Sequence, residues 1–198
     1  MKRIVTAAAA LGFAVLASSR ASAQDAVSRS PIQFGVMGGV SLPIGSDFTD
    51  VLKTGWNAGA LLNFGFSNSP VALRVDGTWN QFNYKAADFS GVHLRLIDAT
   101  ADAVFSFGTK SPAQFYVLGG AGVYNFKNTG SNNNFDFSSG SSTKFGLNGG
   151  VGVKFTAGPV APFVEARYHY VFSGNSFNNI NGNNPKFQMV PIVVGLTF

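Results

Sequence analysis

Over the last twelve residues, FQMVPIVVGLTF, large apolar side chains recur at every second position: Val190, Ile192, Val194, Leu196 and Phe198. Met189, Pro191, Val193, Gly195 and Thr197 form the mixed set between them. A period of two predicts a β-strand with one greasier face. The clearest example is TKFGLNGGVGVKF, in which Phe145, Leu147, Val151, Val153 and Phe155 alternate with Lys144, Gly146, Asn148, Gly150, Gly152 and Lys154. Trp56, Ala58, Ala60, Leu62, Phe64 and Phe66 repeat the pattern against Gly55, Asn57, Gly59, Leu61, Asn63 and Gly65. Eight segments of this kind, most of them about 10 to 13 residues long, run roughly over 31–42, 54–66, 71–84, 93–107, 114–127, 143–155, 162–172 and 187–198.

The connections have their own rhythm. Segments 43–53, 85–92, 128–142 and 173–186 are long and rich in Gly, Ser, Asn and Asp, whereas SNSP, GTKSPA and TAGPVA are short and turn-like. Long and short alternate, as in an antiparallel barrel with long external loops and short periplasmic turns. The expected fold is therefore all-β: an eight-stranded antiparallel up-and-down transmembrane β-barrel, with both chain ends on the periplasmic side. Strands of this length match a tilted crossing of the hydrocarbon layer.

Composition separates this reading from a soluble barrel. Only 12% of the residues are charged, about half of what a soluble domain carries. There are 24 glycines and 20 phenylalanines, a pairing that suits strands with one small-residue face and one aromatic-studded face. Cysteine is absent, which excludes disulfides and thiolate metal sites. The first 23 residues join basic Lys2 and Arg3 to an apolar run from Ile4 to Ala17 and a small-residue site at Ala21 and Ala23. That is the pattern of a secretory signal peptide, giving residues 1–23 as signal peptide and 24–198 as the barrel domain. Loss of Lys2, Arg3 and Arg20 lowers the formal charge from +5 to +2, and no basic patch interleaved with aromatics argues for nucleic acid.

Opposite the apolar parity lie Arg74, Asp76, Asp98, Asp102, Lys144, Lys154, Glu165, Arg167 and His169. A soluble barrel would turn these outward. Two features favour the reverse: glycine crowds the same parity, as a narrow lumen requires, and aromatics gather at both strand ends on the apolar parity. Phe66, Phe105, Phe107, Phe155 and Phe198 would form one belt, and Trp56, Trp79, Phe145, Tyr170 and Phe172 the other, marking a wall that faces lipid.

With signal peptide, eight strands and terminal Phe198, the mature chain resembles the small eight-stranded outer-membrane barrels of Gram-negative bacteria, the OmpA-like, OmpX-like and opacity-type surface proteins. The stretches that carry the resemblance are APFVEARYHY at 161–170 and the closing VPIVVGLTF. The resemblance implies a bacterial outer-membrane location and contact with outer-membrane lipid and lipopolysaccharide. It also implies that Ile192, Val194, Leu196 and Phe198 act as a C-terminal signal for the barrel-assembly machinery. The class carries adhesins, anchors, channels and enzymes on one fold, so it does not assign a role.

Four basic lumen residues (Arg74, Lys144, Lys154, Arg167) face four acidic ones (Asp76, Asp98, Asp102, Glu165), and strand adjacency suggests Arg74 with Asp102 and Lys154 with Glu165. Buried charges need partners, and eight strands enclose only enough room for side chains. The expectation is a plugged polar lumen in a monomer without enzymatic activity or cofactor, serving envelope structure or surface interaction. A narrow channel for small solutes is the alternative, and a lipid A-modifying enzyme the next. His169 and Ser173 look superficially like the pair of the lipid A deacylases, but they are four residues apart where that family has two, and His169 shares the inward parity. Loops 128–142 and 173–186, with Phe135, Phe137 and Phe177, offer a surface for a ligand.

Overall fold

The computed structural model describes residues 32–66, 69–86, 91–107, 111–132, 135–138, 140–156, 158–172 and 186–198. The strands are β1 (Ile32–Ile44), β2 (Gly55–Gly65), β3 (Val71–Asn83), β4 (Val92–Phe107), β5 (Ala113–Asn132), β6 (Phe135–Ser138), β7 (Ser142–Phe155), β8 (Ala161–Val171) and β9 (Phe187–Thr197), with a one-turn helix α1 (Ser46–Thr49) after β1. Eight of the nine strands coincide with the periodic segments to within a few residues. Each pairs antiparallel with its neighbours in the order β4-β3-β2-β1-β9-β8-β7-β5, and the β4–β5 pairing closes the ring.

The closure is staggered. Stepping from Phe34 to Leu62, Val75, Ala101, Ala121, Leu147, Tyr170 and Gln188 returns to β1 at Ile44, ten residues beyond the start. Stagger of this kind accompanies strands tilted by roughly 35–45° and an interior only wide enough for side chains.

The burial pattern fixes which face looks in. On β4 buried and exposed residues alternate almost without interruption, and the large apolar side chains Phe34, Val36, Leu62, Leu73, Phe145, Leu147, Val151, Val194 and Phe198 all lie on the exposed outer wall. Inward glycines make room for rings across the strand. A Cβ on Gly152 would sit 2.2 Å from the Tyr116 ring, and one on Gly195 would sit 2.4 Å from that of Phe163. Each glycine is the direct register partner of the aromatic it seats.

Two departures from the periodic segments are local. Segment 128–142, expected as loop, is partly sheet: β5 runs on to Asn132, and β6 pairs back onto it through Thr129↔Ser138 to Asn132↔Phe135. The extra strand, only four residues long, lies beyond the barrel ring within a polar, glycine- and serine-rich segment. On β9, Pro191 has no N–H to donate, and the β8–β9 pairing is interrupted between Ala166↔Ile192 and His169↔Met189. The expected signal peptide, Ser173, Phe177 and nearly all of loop 173–186 lie outside the described residues.

Candidate functional site

The inward face divides into layers. In the middle, β3 contributes Arg74 and Asp76, β4 contributes Asp98, Thr100 and Asp102, and β8 contributes Glu165, Arg167 and His169, all at or below 5% exposure. Arg74 donates from Nε to Asp76 Oδ1 and from Nη1 to Glu165 Oε2, both at 2.7 Å. Its guanidinium also lies 5.5 Å from the centre of the Phe163 ring. Arg167 donates from Nη1 to Asp76 Oδ2 at 2.8 Å and Asp102 Oδ2 at 3.0 Å, and from Nη2 to Glu165 Oε1 at 2.8 Å. Tyr116 donates its hydroxyl to Glu165 Oε2 at 2.8 Å, and Thr100 donates to Asp102 Oδ2 at 3.0 Å. Such charge-assisted pairing lets ions persist where their side chains are buried.

These contacts revise the pairing expected from strand adjacency. Arg74 is the register partner of Asp102, yet its long side chain crosses the lumen to Glu165, and Asp102 is taken by Arg167. Both Glu165 oxygens are held by arginines. Lys144 and Lys154 stand half-buried near the two ends of β7, where Lys154 Nζ lies 3.4 Å from Gln33 Oε1. The four-against-four balance thus describes the whole wall, while the buried middle sets two guanidiniums among four carboxylates.

A neutral chain continues from this layer. Asn57 donates to Ser41 Oγ at 2.8 Å, Ser41 to Asn80 Oδ1 at 2.6 Å, and Asn80 to Asp98 Oδ2 at 2.8 Å. A cavity of about 20 Å³ bounded by Thr78, Asp98, Glu165, Arg167 and His169 adjoins it, close to the space that one water occupies. Tyr124 Oη lies 2.8 Å from His169 Nδ1, so the inward imidazole is engaged by a phenol. Among the described residues no cluster of His, Asp or Glu is arranged to hold a metal ion.

Towards the long loops the lining turns apolar, which the sequence reading missed. Leu52, Phe82, Leu94, Leu96, Tyr124, Phe126, Val171, Phe187 and Met189 pack as one buried cluster. Phe187 makes edge-to-face contacts with Phe48, Phe126 and Phe82 at centroid distances of 5.0, 5.1 and 6.1 Å. The β1–β2 connection supplies Phe48 and Leu52 by folding across the mouth. It is pinned there by the Lys53 N–H on Asn83 O and the Lys85 N–H on Val51 O, both 2.8 Å, and by Lys85 Nζ on Thr49 O. Gly45, at φ +90°, makes the turn into α1 with a conformation that favours glycine. At this rim burial raises the pKa of the Tyr84 phenol above its ordinary value, and the neutral hydroxyl donates to Asn128 Oδ1 at 2.9 Å. Leu94 and Leu96 share the parity of Asp98, so the alternation carried the signal for this cluster; attention to the charges alone passed over it.

On the outer wall Trp56, Phe66, Trp79, Phe105, Phe107, Phe145, Phe155 and Phe172 are exposed, and Tyr170 is partly covered. Ile192, Val194 and Leu196 on β9 and Phe198 just after it are exposed on one parity, and the Phe198 N–H donates to Phe34 O at 2.8 Å.

A closed eight-stranded ring with an apolar exterior and a polar, ionic centre defines the class of bacterial outer-membrane barrels. Residues 9–198 match the family model of the outer membrane protein beta-barrel domain, and the chain belongs to that family. Its location is accordingly the bacterial outer membrane. Among solved structures, Neisserial surface protein A is 18% identical, with a TM-score of 0.56 over 85% of this chain and 96% of that one. A major outer membrane protein of Thermus thermophilus is 12% identical, also with a TM-score of 0.56, over 85% of this chain and 99% of that one. Both share the fold. A comparison with curated proteins gives no match.

Proposed function

We propose that this protein is a non-conducting, non-enzymatic barrel that works through its surfaces, as a structural element of the outer membrane or a platform for external loops. The observation that carries the reading is the arginine–carboxylate layer, in which Arg74 and Arg167 bridge β3, β4 and β8 across the lumen with side chains at most 5% exposed. The aromatic cluster at the mouth supports it independently. On this reading the long loops, including the β5–β6 hairpin and 173–186, face outward and meet partners. Phe198 and the row Ile192, Val194 and Leu196 serve the assembly machinery, and the barrel is a monomer released from a signal peptide ending at Ala23.

The test is single-channel conductance of refolded protein in a planar bilayer. A silent parent, with current appearing in the Arg74→Ala, Arg167→Ala double variant, fits a lumen closed by ion pairs. Steady conductance in the parent would overturn the reading and make this a narrow channel.

A further inference from the structure

Among the described residues, every ion pair of the middle layer ends on Asp76, Asp102 or Glu165. Asp98, only 3% exposed, takes part in none of them. Its Oδ2 accepts a hydrogen bond from Asn80 Nδ2, and that amide is held in place by Ser41, which donates to Asn80 Oδ1. The bond orients the carboxylate without offsetting its charge. A buried carboxylate that lacks a counter-charge is strongly unfavourable, and both guanidiniums are already engaged by the other three acids.

The cavity of about 20 Å³ opens beside this carboxylate, with Thr78, Arg167 and Pro191 also on its wall. Pro191 contributes through its backbone. The Phe198 N–H donates to Phe34 O on β1, so by strand alternation the even positions of β9 face β1 and the odd positions face β8. Continuing the register from Ala166↔Ile192 sets Pro191 opposite Arg167, and proline has no N–H to give. The ladder therefore supplies no donor to the Arg167 carbonyl, and it is here that the β8–β9 pairing breaks. A carboxylate, a hydroxyl and a main-chain carbonyl thus border one water-sized space. These are hard oxygen ligands, which suit alkali and alkaline-earth cations. Among the described residues no three acidic or imidazole side chains converge on a metal position, which favours a monovalent ion over a multivalent one.

We propose that this cavity holds one sodium ion, bound by the Asp98 carboxylate, the Thr78 hydroxyl and the Arg167 main-chain carbonyl. The ion offsets the one carboxylate of the layer that has no ion pair. The Arg167 side chain stays on Asp76, Asp102 and Glu165, so two fixed cations and one bound cation hold the layer together. His169 borders the same cavity and is engaged by Tyr124 of the aromatic cluster. The site therefore lies between the ion layer and the sealed mouth, and the ion is enclosed as the barrel closes.

The experiment refolds the protein into detergent micelles in sodium chloride, exchanges the buffer to choline chloride by gel filtration, and measures the sodium that remains by elemental analysis. Sodium equimolar with the chain is expected in the parent and none in Asp98→Asn. Reversible urea unfolding at constant ionic strength, with sodium replacing choline, measures the linkage. The folded-to-unfolded ratio of the parent should rise roughly tenfold for each tenfold rise in sodium once the site fills, and that of Asp98→Asn should not respond. Asp50→Asn, which changes an exposed acid in the β1–β2 connection, keeps the parent's response. Folding of each variant is checked by the heat-modifiable shift on a gel. If Asp98→Asn does not fold, the two measurements on the parent decide the matter. A parent that retains no sodium and is equally stable in sodium and choline overturns the site. Stability that ignores sodium but rises on acidification overturns it in favour of a proton on Asp98. Sodium retained by folded Asp98→Asn overturns the ligand assignment.

Discussion

The middle of the lumen and its mouth share the inward parity of β3, β4 and β8, with the mouth drawing also on β5, β9 and the β1–β2 connection, yet they are lined by different kinds of contact. Around Arg74 and Arg167 the filling is ionic, and each side chain depends on partners contributed by other strands. Around Phe187 it is aromatic and aliphatic, and the packing is spread over nine buried side chains. An ion layer is stringent, since removing one partner leaves the others buried with an uncompensated charge. An apolar layer is forgiving, since its cost scales with the volume removed and with how far the neighbours relax. The two layers meet at Tyr124, which belongs to the apolar cluster and engages His169.

The sharpest way to break this contrast is Arg167→Ala, which removes the partner shared by Asp76, Asp102 and Glu165. Reversible urea unfolding from lipid vesicles should show a loss of about 3–5 kcal/mol; a loss below about 1 kcal/mol would mean that charge does not hold the middle. In the mouth, Leu96→Ala should cost on the order of 3 kcal/mol, with the salt dependence of unfolding unchanged from the parent. A changed salt dependence there would show that the layers are electrically coupled. Tyr124→Phe tests the joint. It keeps the ring and removes one hydrogen bond, so a loss of about 1 kcal/mol is expected in the same assay, and a larger loss would make the joint the keystone of both layers.

The lipid face was legible for a related reason. Phe145, Leu147, Val151 and Phe155 answer to a uniform solvent, hydrocarbon, and a one-body rule such as alternation captures them. The inward charges were legible as a set, because Arg74, Asp76, Glu165 and Arg167 share the parity opposite the lipid wall. Their partners were not, because pairing across a lumen depends on side-chain reach between strands far apart in sequence. Arg74 and Glu165 are 91 residues apart, and nothing in either local pattern points to the other.

Alternation, length and turn chemistry by themselves determined the eight strands, the antiparallel order and the inside and outside of the wall, because each depends only on near neighbours and on the surrounding medium. The ten-residue stagger, the seating of Tyr116 and Phe163 on Gly152 and Gly195, and the fold of the β1–β2 connection into the mouth were decided by the tertiary structure alone. Each arises where register brings distant residues to one height, and register is a property of the closed ring rather than of any single strand.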